Sequence, residues 1–361
     1  MSAMTAGEIA IGGRKIGQGH PPYIIAEMSG NHNGDIERAF GILAAAKQAG
    51  ADAVKLQTYT PDTITIDHDG PGFVVEGGLW HGRSLYDLYR EAHTPWDWHE
   101  AIFARGRAIG LTIFSSAFDA TAIDLLESLH TPAYKIASLE IVDLPLIRRA
   151  AATGKPLILS TGAAALGDIG EAVAAAREAG CRELVVLHCT SGYPTPASES
   201  NLRTIAHLGA AFDVVAGLSD HTLGTAVPVA AIALGAAVIE KHVTLARADG
   251  GPDAAFSLEP GELARMVEDC RIAWEALGRV SYDLASSEAS VQLLRRSLYA
   301  VADIAEGERF GEHNVRSIRP GYGLPPKHLP ELLGKTARRA IPRGTPLTWG
   351  DIDSRTGNSR F

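Results

Sequence analysis

The sequence predicts an α/β protein: a (β/α)8 TIM barrel followed by a small β-rich domain. Three observations carry this. Eight short, nearly continuous apolar runs recur between residues 23 and 243. Helical periodicity fills most of the gaps between them. Near residue 297 the pattern changes to short β-like segments punctuated by Gly and Pro. Apolar strands alternating with amphipathic helices predict a parallel sheet covered by helices. Eight repeats favour closure over the alternative, an open doubly wound sheet.

The strand-like runs are YIIAEM (23–28), AVKLQT (53–58), TIFSSA (112–117), AYKIAS (133–138), PLILST (156–161), ELVVLHC (183–189), VVAGLSD (214–220) and VIEKHV (238–243). IERAFGILAAAKQAG, ATAIDLLESL and IGEAVAAAREAG read as covering helices, with Gly50 and Gly180 at their C-caps. The segment from about Pro61 to Trp98 breaks the rhythm with glycines and aromatics. It reads as a long loop over the barrel mouth that faces substrate. A last barrel helix is expected at about 260–277, then a polar linker, SYDLASSEAS. The expected partition is a catalytic barrel at 1–280, a linker at 281–296 and a tail domain at 297–361. The tail is too small to bury much surface alone, so it is expected to dock on something.

Bulk properties exclude several classes. The 361 residues are 46 % apolar and 21 % charged, with net charge −9, so nothing favours nucleic acid or an anionic membrane. The three cysteines, Cys181, Cys189 and Cys270, have no metal-binding spacing and point to a reducing compartment. The start, MSAMTAGEIAIGGRKIG, lacks a long apolar stretch, and no run reaches the ~18 apolar residues of a membrane span. A soluble, cytoplasmic protein is expected.

Barrel enzymes place chemistry at the C-terminal ends of their strands, and the polar residues cluster there. His221 in GLSDHTLG and His242 in VIEKHVTL close two successive strands, a plausible ligand pair for one divalent metal. Glu27, Lys55, Ser116, Lys135 and Ser160 end or interrupt earlier strands. Lys55 and Lys135 sit inside apolar runs, where a lysine needs a partner. They bind an anion, or they form structural ion pairs with Glu27 or Glu140. Ser160 and Ser219 stand at strand ends that suit phosphate. His188 reads as a core or supporting histidine; His20, His32, His93 and His99 read as loop residues.

Together, IIAEMSGNHNG, AVKLQTY, AYKIAS, LILSTG, GLSDHT and EKHVTL resemble the motif series of the sialic acid synthase family. RRSLYAVADIAEGE and SIRPGYGLPPK resemble its antifreeze-like (SAF) domain. Within the family, GGLWHGRSLYDLYREAHTPWDWH, AFSLEP and NVRSIRPGYGLPPKHL are most similar to the pseudaminic-acid-forming branch. The resemblance implies condensation of phosphoenolpyruvate with an amino sugar, a divalent metal (Mn²⁺, with Mg²⁺ or Co²⁺ as alternatives) and a domain-swapped homodimer. It implies that Glu27, His221 and His242 hold metal and sugar. Lys55, Ser116, Lys135, Ser138, Ser160 and Ser219 match positions that bind phosphoenolpyruvate. Gln57, Tyr193, Glu140 and Asp253 match the sugar site. Arg319 matches an arginine inserted into the partner subunit's site. Ser116 stands where sialic acid synthases carry Thr, and Ser191 where they carry Asn. Branches using other amino sugars, a non-catalytic sugar-phosphate sensor and a metal-dependent hydrolase are the competing readings.

Overall fold

The computed structural model describes residues 7–353. Residues 1–6 of the N-terminal stretch and 354–361 of the expected tail domain lie outside the described residues. The chain divides into two compact units after Gly278.

The first unit opens with a hairpin that the sequence reading did not anticipate, β1 (Ile9–Ile11) and β2 (Arg14–Ile16). Gly12 and Gly13 form its two-residue turn at φ +58° and +80°, the left-handed conformation such tight turns require. Eight parallel strands follow: β3 (Tyr23–Glu27), β4 (Ala53–Thr58), β5 (Thr112–Ala117), β6 (Tyr134–Ile136), β7 (Leu157–Ser160), β8 (Leu184–Cys189), β9 (Val215–Asp220) and β10 (Val238–His242). They close into a barrel, with β10 pairing β3. All eight runs read as strands are strands. Helix ends follow local chemistry. Asp35 accepts the Glu37 amide at the start of helix Ile36–Ala49, and Gly50 ends it at φ +86°. Gly180, at φ +100°, lies one residue beyond the end of helix Leu166–Glu178 and its cap, Ala179.

Side chains alternate across each strand, and this divides the core in two. Outward residues such as Val54, Leu56, Val186 and Ile239 pack under the helices. Inward residues Ile25, Phe114, Val185 and Val238 form a second cluster with Ile9, Ile11 and Ile16 of the hairpin. The lower barrel is therefore a solid apolar plug. Further along the same inward faces the residues turn polar: Glu27, Lys55, Ser116, Lys135, Ser160, Ser219 and Glu240, all buried.

Gly217 shows how tightly the interior closes. A Cβ there would lie 2.4 Å from the Val238 carbonyl oxygen and 2.7 Å from a Leu187 methyl. Gly217→Ala is expected to destabilise the barrel by about 1–3 kcal/mol through overpacking. Urea unfolding measures this; an unchanged midpoint would contradict it.

The 61–98 segment carries two short helices, Pro61–Ile64 and Leu85–Ala92. The second unit has its own core, including Leu298, Phe310, Leu332 and Leu347. Its only ladder among the described residues is β11 (Ser297–Ala300) with β12 (Val315–Ile318). Isolated bridges such as Ile304 with Ile341 and Ala337 with Ile352 replace longer strands. The unit thus has the short β segments broken by Gly and Pro turns that the sequence pattern predicts. The stretch 281–296 holds a short, exposed helix, Ala289–Gln292. Among the described residues no helix is long and apolar enough to cross a membrane.

Candidate active site

The polar inward residues form a floor. Lys55 Nζ lies 2.6 Å from Glu27 Oε2 and 3.6 Å from Glu240 Oε1. It also donates to Ser116 Oγ at 3.1 Å. Lys135 Nζ lies 3.9 Å from Glu240 Oε1 and donates to the Ile136 carbonyl at 3.2 Å. Ser219 Oγ donates to Glu240 at 2.9 Å, and Gln57 Nε2 donates to Glu27 Oε1 at 3.1 Å. Lys55 thus makes an ion pair with Glu27, one of the two partners considered. Glu140 makes none among the described residues; it lines the cavity above. The carboxylate between the lysines is Glu240, which the sequence offers only as part of a charged triplet, Glu240-Lys241-His242, closing an apolar strand, and which stands outside the expected site list. A signal was available: two-residue alternation puts Glu240 on the inward face with His242 and opposite Ser219.

Burial is the largest influence on these groups. It raises the Glu27 carboxyl to about 7, helped by the charge of Glu240 and opposed by Lys55. Burial also acts to raise Glu240, but Lys135 and Lys55 outweigh it and the net shift is downward. Lys135 is lowered by burial and, secondarily, by Lys55. For Lys55 burial acts downward, yet Glu240 and Glu27 outweigh it and hold the ammonium form. With Glu27 about half protonated near neutral pH, two lysines face fewer than two negative charges. Such a floor is suited to an anion.

Two residues further along the strands lies a second layer, about 6–7 Å higher at the rise of a β-strand. His242 ends β10, and His221 stands one residue beyond β9. Their ring centroids are 5.3 Å apart. His221 Nδ1 lies 3.1 Å from the Thr190 carbonyl, which as a donor would leave Nε2 as a free lone pair. His242 Nδ1 is buried with no hydrogen-bond partner, and burial holds this imidazole well below its usual range and so neutral. His242, neutral and with an uncommitted nitrogen, fits a divalent ion. For His221 burial acts downward, but Cys189 and the Thr190 carbonyl outweigh it and the net shift is upward, so this imidazole would release its proton on binding one. No third His, Cys, Asp or Glu joins them in a metal-binding group among the described residues, so the protein would furnish two ligands and leave the rest of the sphere open.

Above the floor opens a cavity of about 350 Å³. Gln57, Ser138, Glu140, Tyr193, His242 and Asp253 all line it. Asp253 is held by the Ser29 hydroxyl and, at 3.3 Å, by the Gly30 amide. The Tyr193 ring packs 4.4 Å from His221 and 5.4 Å from Trp80 between centroids. The loop read as substrate-facing supplies Val75, Trp80, Leu85 and Tyr89 to the wall. Ser138 Oγ accepts the Gly162 amide at 3.0 Å. Ser160 Oγ is buried without a partner. A side chain at Gly162 would lie 2.1 Å from Ser191 Oγ, so backbone and hydroxyls converge there. Ser191, left outside the expected site, therefore belongs to this corner.

Other expectations need correction. His32 and His99, read as loop residues rather than ligands, are fully buried, and His99 opens the helix His99–Ile109. His99 Nε2 meets Thr58 Oγ1 at 2.8 Å, and the His32 ring packs edge-on against Trp98. Burial lowers both to about 4, so they are neutral packing elements. Arg319 is exposed and follows β12 in the second unit.

Residues 42–282 match the NeuB family model, and residues 295–353 match the SAF domain. The chain is 45 % identical to a pseudaminic acid synthase of Campylobacter jejuni, over 91 % of this chain and 96 % of the relative. It is 42 % identical to the pseudaminic acid synthase of Helicobacter pylori, over 92 % and 98 %. Among solved structures, an N-acetylneuraminic acid synthetase from Leptospira borgpetersenii superposes with a TM-score of 0.72 at 30 % identity, covering 80 % of this chain and 96 % of that one.

Proposed function

The chain belongs to the NeuB family and carries a SAF domain, and from that premise we propose that it condenses phosphoenolpyruvate with 2,4-diacetamido-2,4,6-trideoxy-L-altrose to give pseudaminate and phosphate. The observation that supports this best is the stacking of two layers. A lysine–carboxylate floor suited to a small anion lies directly beneath two histidines and a cavity of sugar size.

Lys55 and Lys135 would bind the phosphate and carboxylate of phosphoenolpyruvate, exchanging part of their pairing with Glu27 and Glu240. Ser116, Ser138, Ser160 and Ser219 supply neutral donors around them. Gln57, Tyr193, Glu140 and Asp253 would orient the open-chain sugar so that its aldehyde carbon faces carbon 3 of phosphoenolpyruvate. When bound to His221 and His242, a divalent ion would supply Lewis-acid polarisation of that aldehyde. Imidazole ligation favours Mn²⁺ or Co²⁺ over Mg²⁺. Carbon 3 adds to the aldehyde and leaves an oxocarbenium at carbon 2. Water adds to carbon 2, and the resulting hemiketal phosphate expels phosphate. Glu27, with its carboxyl near 7, can take the proton of that water at Oε1 or Oε2. The apolar plug beneath the floor keeps bulk water from entering from below.

We further place the reaction in the cytoplasm, where phosphoenolpyruvate is made. The active form would be a homodimer in which Arg319 of each tail domain completes the site of the other subunit. Neither nucleic acid nor membrane has a role in this scheme.

A substrate panel tests the proposal by phosphate release. Ile64, Val75, Leu85 and Phe118 give the cavity an apolar wall. That wall accepts a 6-methyl group but would leave the 6-hydroxyl of N-acetylmannosamine unpaired, at about 1–3 kcal/mol. The altrose is therefore expected to exceed N-acetylmannosamine roughly 5- to 150-fold in kcat/KM. Equal or better turnover of N-acetylmannosamine would overturn the sugar assignment in favour of an N-acetylneuraminate synthase.

A further inference from the structure

His221 lies just past the last residue of β9 that pairs with β10. The final register pair is Asp220 with Lys241. The main-chain ladder therefore stops before it can fix His221 against His242. On the outward face of the same two strands, side chains continue the connection. Lys241 Nζ donates both to Asp220 Oδ2 and to the Thr222 carbonyl. Asp220 accepts the Thr222 amide at 3.1 Å through Oδ1 and the Thr222 hydroxyl at 3.0 Å through Oδ2. The cluster brackets His221 on both chain sides, at Asp220 and Thr222, and ties that turn to the residue preceding His242.

All three residues are buried; Lys241 is 0 % exposed, Asp220 3 % and Thr222 2 %. Around them the outward face is otherwise apolar, with Leu218 and Ile239 in the helix-covered core. A buried ion pair is a poor source of stability, because desolvation offsets its attraction and apolar replacements often do as well. What it supplies here is position. The pair spans two strands and takes up the carbonyl that the ladder leaves open.

We propose that Asp220, Lys241 and Thr222 form a positioning clamp that sets the separation of His221 and His242, and hence the affinity of the divalent-ion site. The inference rests on the metal reading above. None of the three side chains faces the cavity, so the clamp acts only through the histidines. Outer partners of metal ligands commonly change affinity 10- to 100-fold.

The experiment compares Co²⁺ binding to wild type, D220N/K241M and T222V by titration, and records the visible Co²⁺ absorption that reports ligand geometry. The double variant removes both charges and so avoids stranding one of them. Cooperative urea unfolding establishes that each variant is folded. The expected result is a folded D220N/K241M protein that binds Co²⁺ about 10- to 100-fold more weakly with an altered spectrum. T222V, which keeps the ion pair and the backbone amide bond but removes the hydroxyl that donates to Asp220 Oδ2, is expected to weaken binding several-fold, and it carries the test if the double variant does not fold. Affinities within twofold of wild type and an unchanged spectrum in the folded variants would overturn the clamp alone. A wild-type protein that takes up no Co²⁺ would overturn the metal reading, and the clamp with it.

Discussion

Replacing His242 by alanine is expected to abolish turnover while leaving the barrel folded. His242 ends its strand at the cavity, above the apolar plug that holds the barrel together. Its Nδ1 has no hydrogen-bond partner to lose, so truncation strands no buried donor. What truncation removes is one of only two protein ligands proposed for the divalent ion. A Lewis acid contributes several kcal/mol to such a step, so kcat is expected to fall by about 10³-fold or more. His221→Ala should do the same, though its loss also exposes the Thr190 carbonyl and packing against Tyr193. Chelation with EDTA should inactivate the wild type, and Mn²⁺ should restore it. Phosphate release measures all three, with thermal unfolding as the control for folding. Full activity in a chelated sample would refute the metal assignment.

Lys55→Ala and Arg319→Ala should each be inactive alone yet active when mixed. Lys55 sits in the first unit, between Glu27 and Glu240. Removing it deletes half of the cationic floor, and Glu27, already raised by burial, becomes neutral without its partner, so the fold survives. Arg319 sits in the second unit, exposed on the turn after β12. If it acts in trans, a hybrid dimer has one site with both residues and one with neither. Random exchange of equal amounts should then restore about a quarter of wild-type activity, as follows from a closed two-fold assembly. Differently tagged subunits show whether hybrids form. Hybrids without activity would show that Arg319 does not serve the neighbouring site.

The barrel was legible because its strands are buried on both faces and so read as continuous apolar runs. Every polar interruption in them, such as Lys55 and Lys135, was then conspicuous. Glu240 was less conspicuous because it stands in a charged triplet with Lys241 and His242. Only alternation separates the inward Glu240 from the outward Lys241, and the strand is short. The hairpin at Ile9–Ile16 escaped because its apolar residues are few and their partners, such as Val185 and Phe114, lie far along the chain. His32 and His99 looked like loop residues because their burial comes from Trp98 and Thr58, contacts that no local pattern encodes. The tail domain was legible as short β segments, since Gly and Pro turns mark where its ladders break.

The hairpin that stoppers the barrel also dictates traffic. With Ile9, Ile11 and Ile16 packed into the lower interior, the described residues fill the barrel below the lysine floor, and on the function proposed above phosphoenolpyruvate would reach that floor through the space meant for the sugar. On that reading the inner substrate would have to arrive before the outer one. Once the outer one was seated, the inner one could leave only after reacting or after its neighbour had departed. Commitment to reaction is in this sense a property of the doorway. The same queue runs backwards on exit, and a compound that lodges in the outer chamber would imprison whatever lies below it.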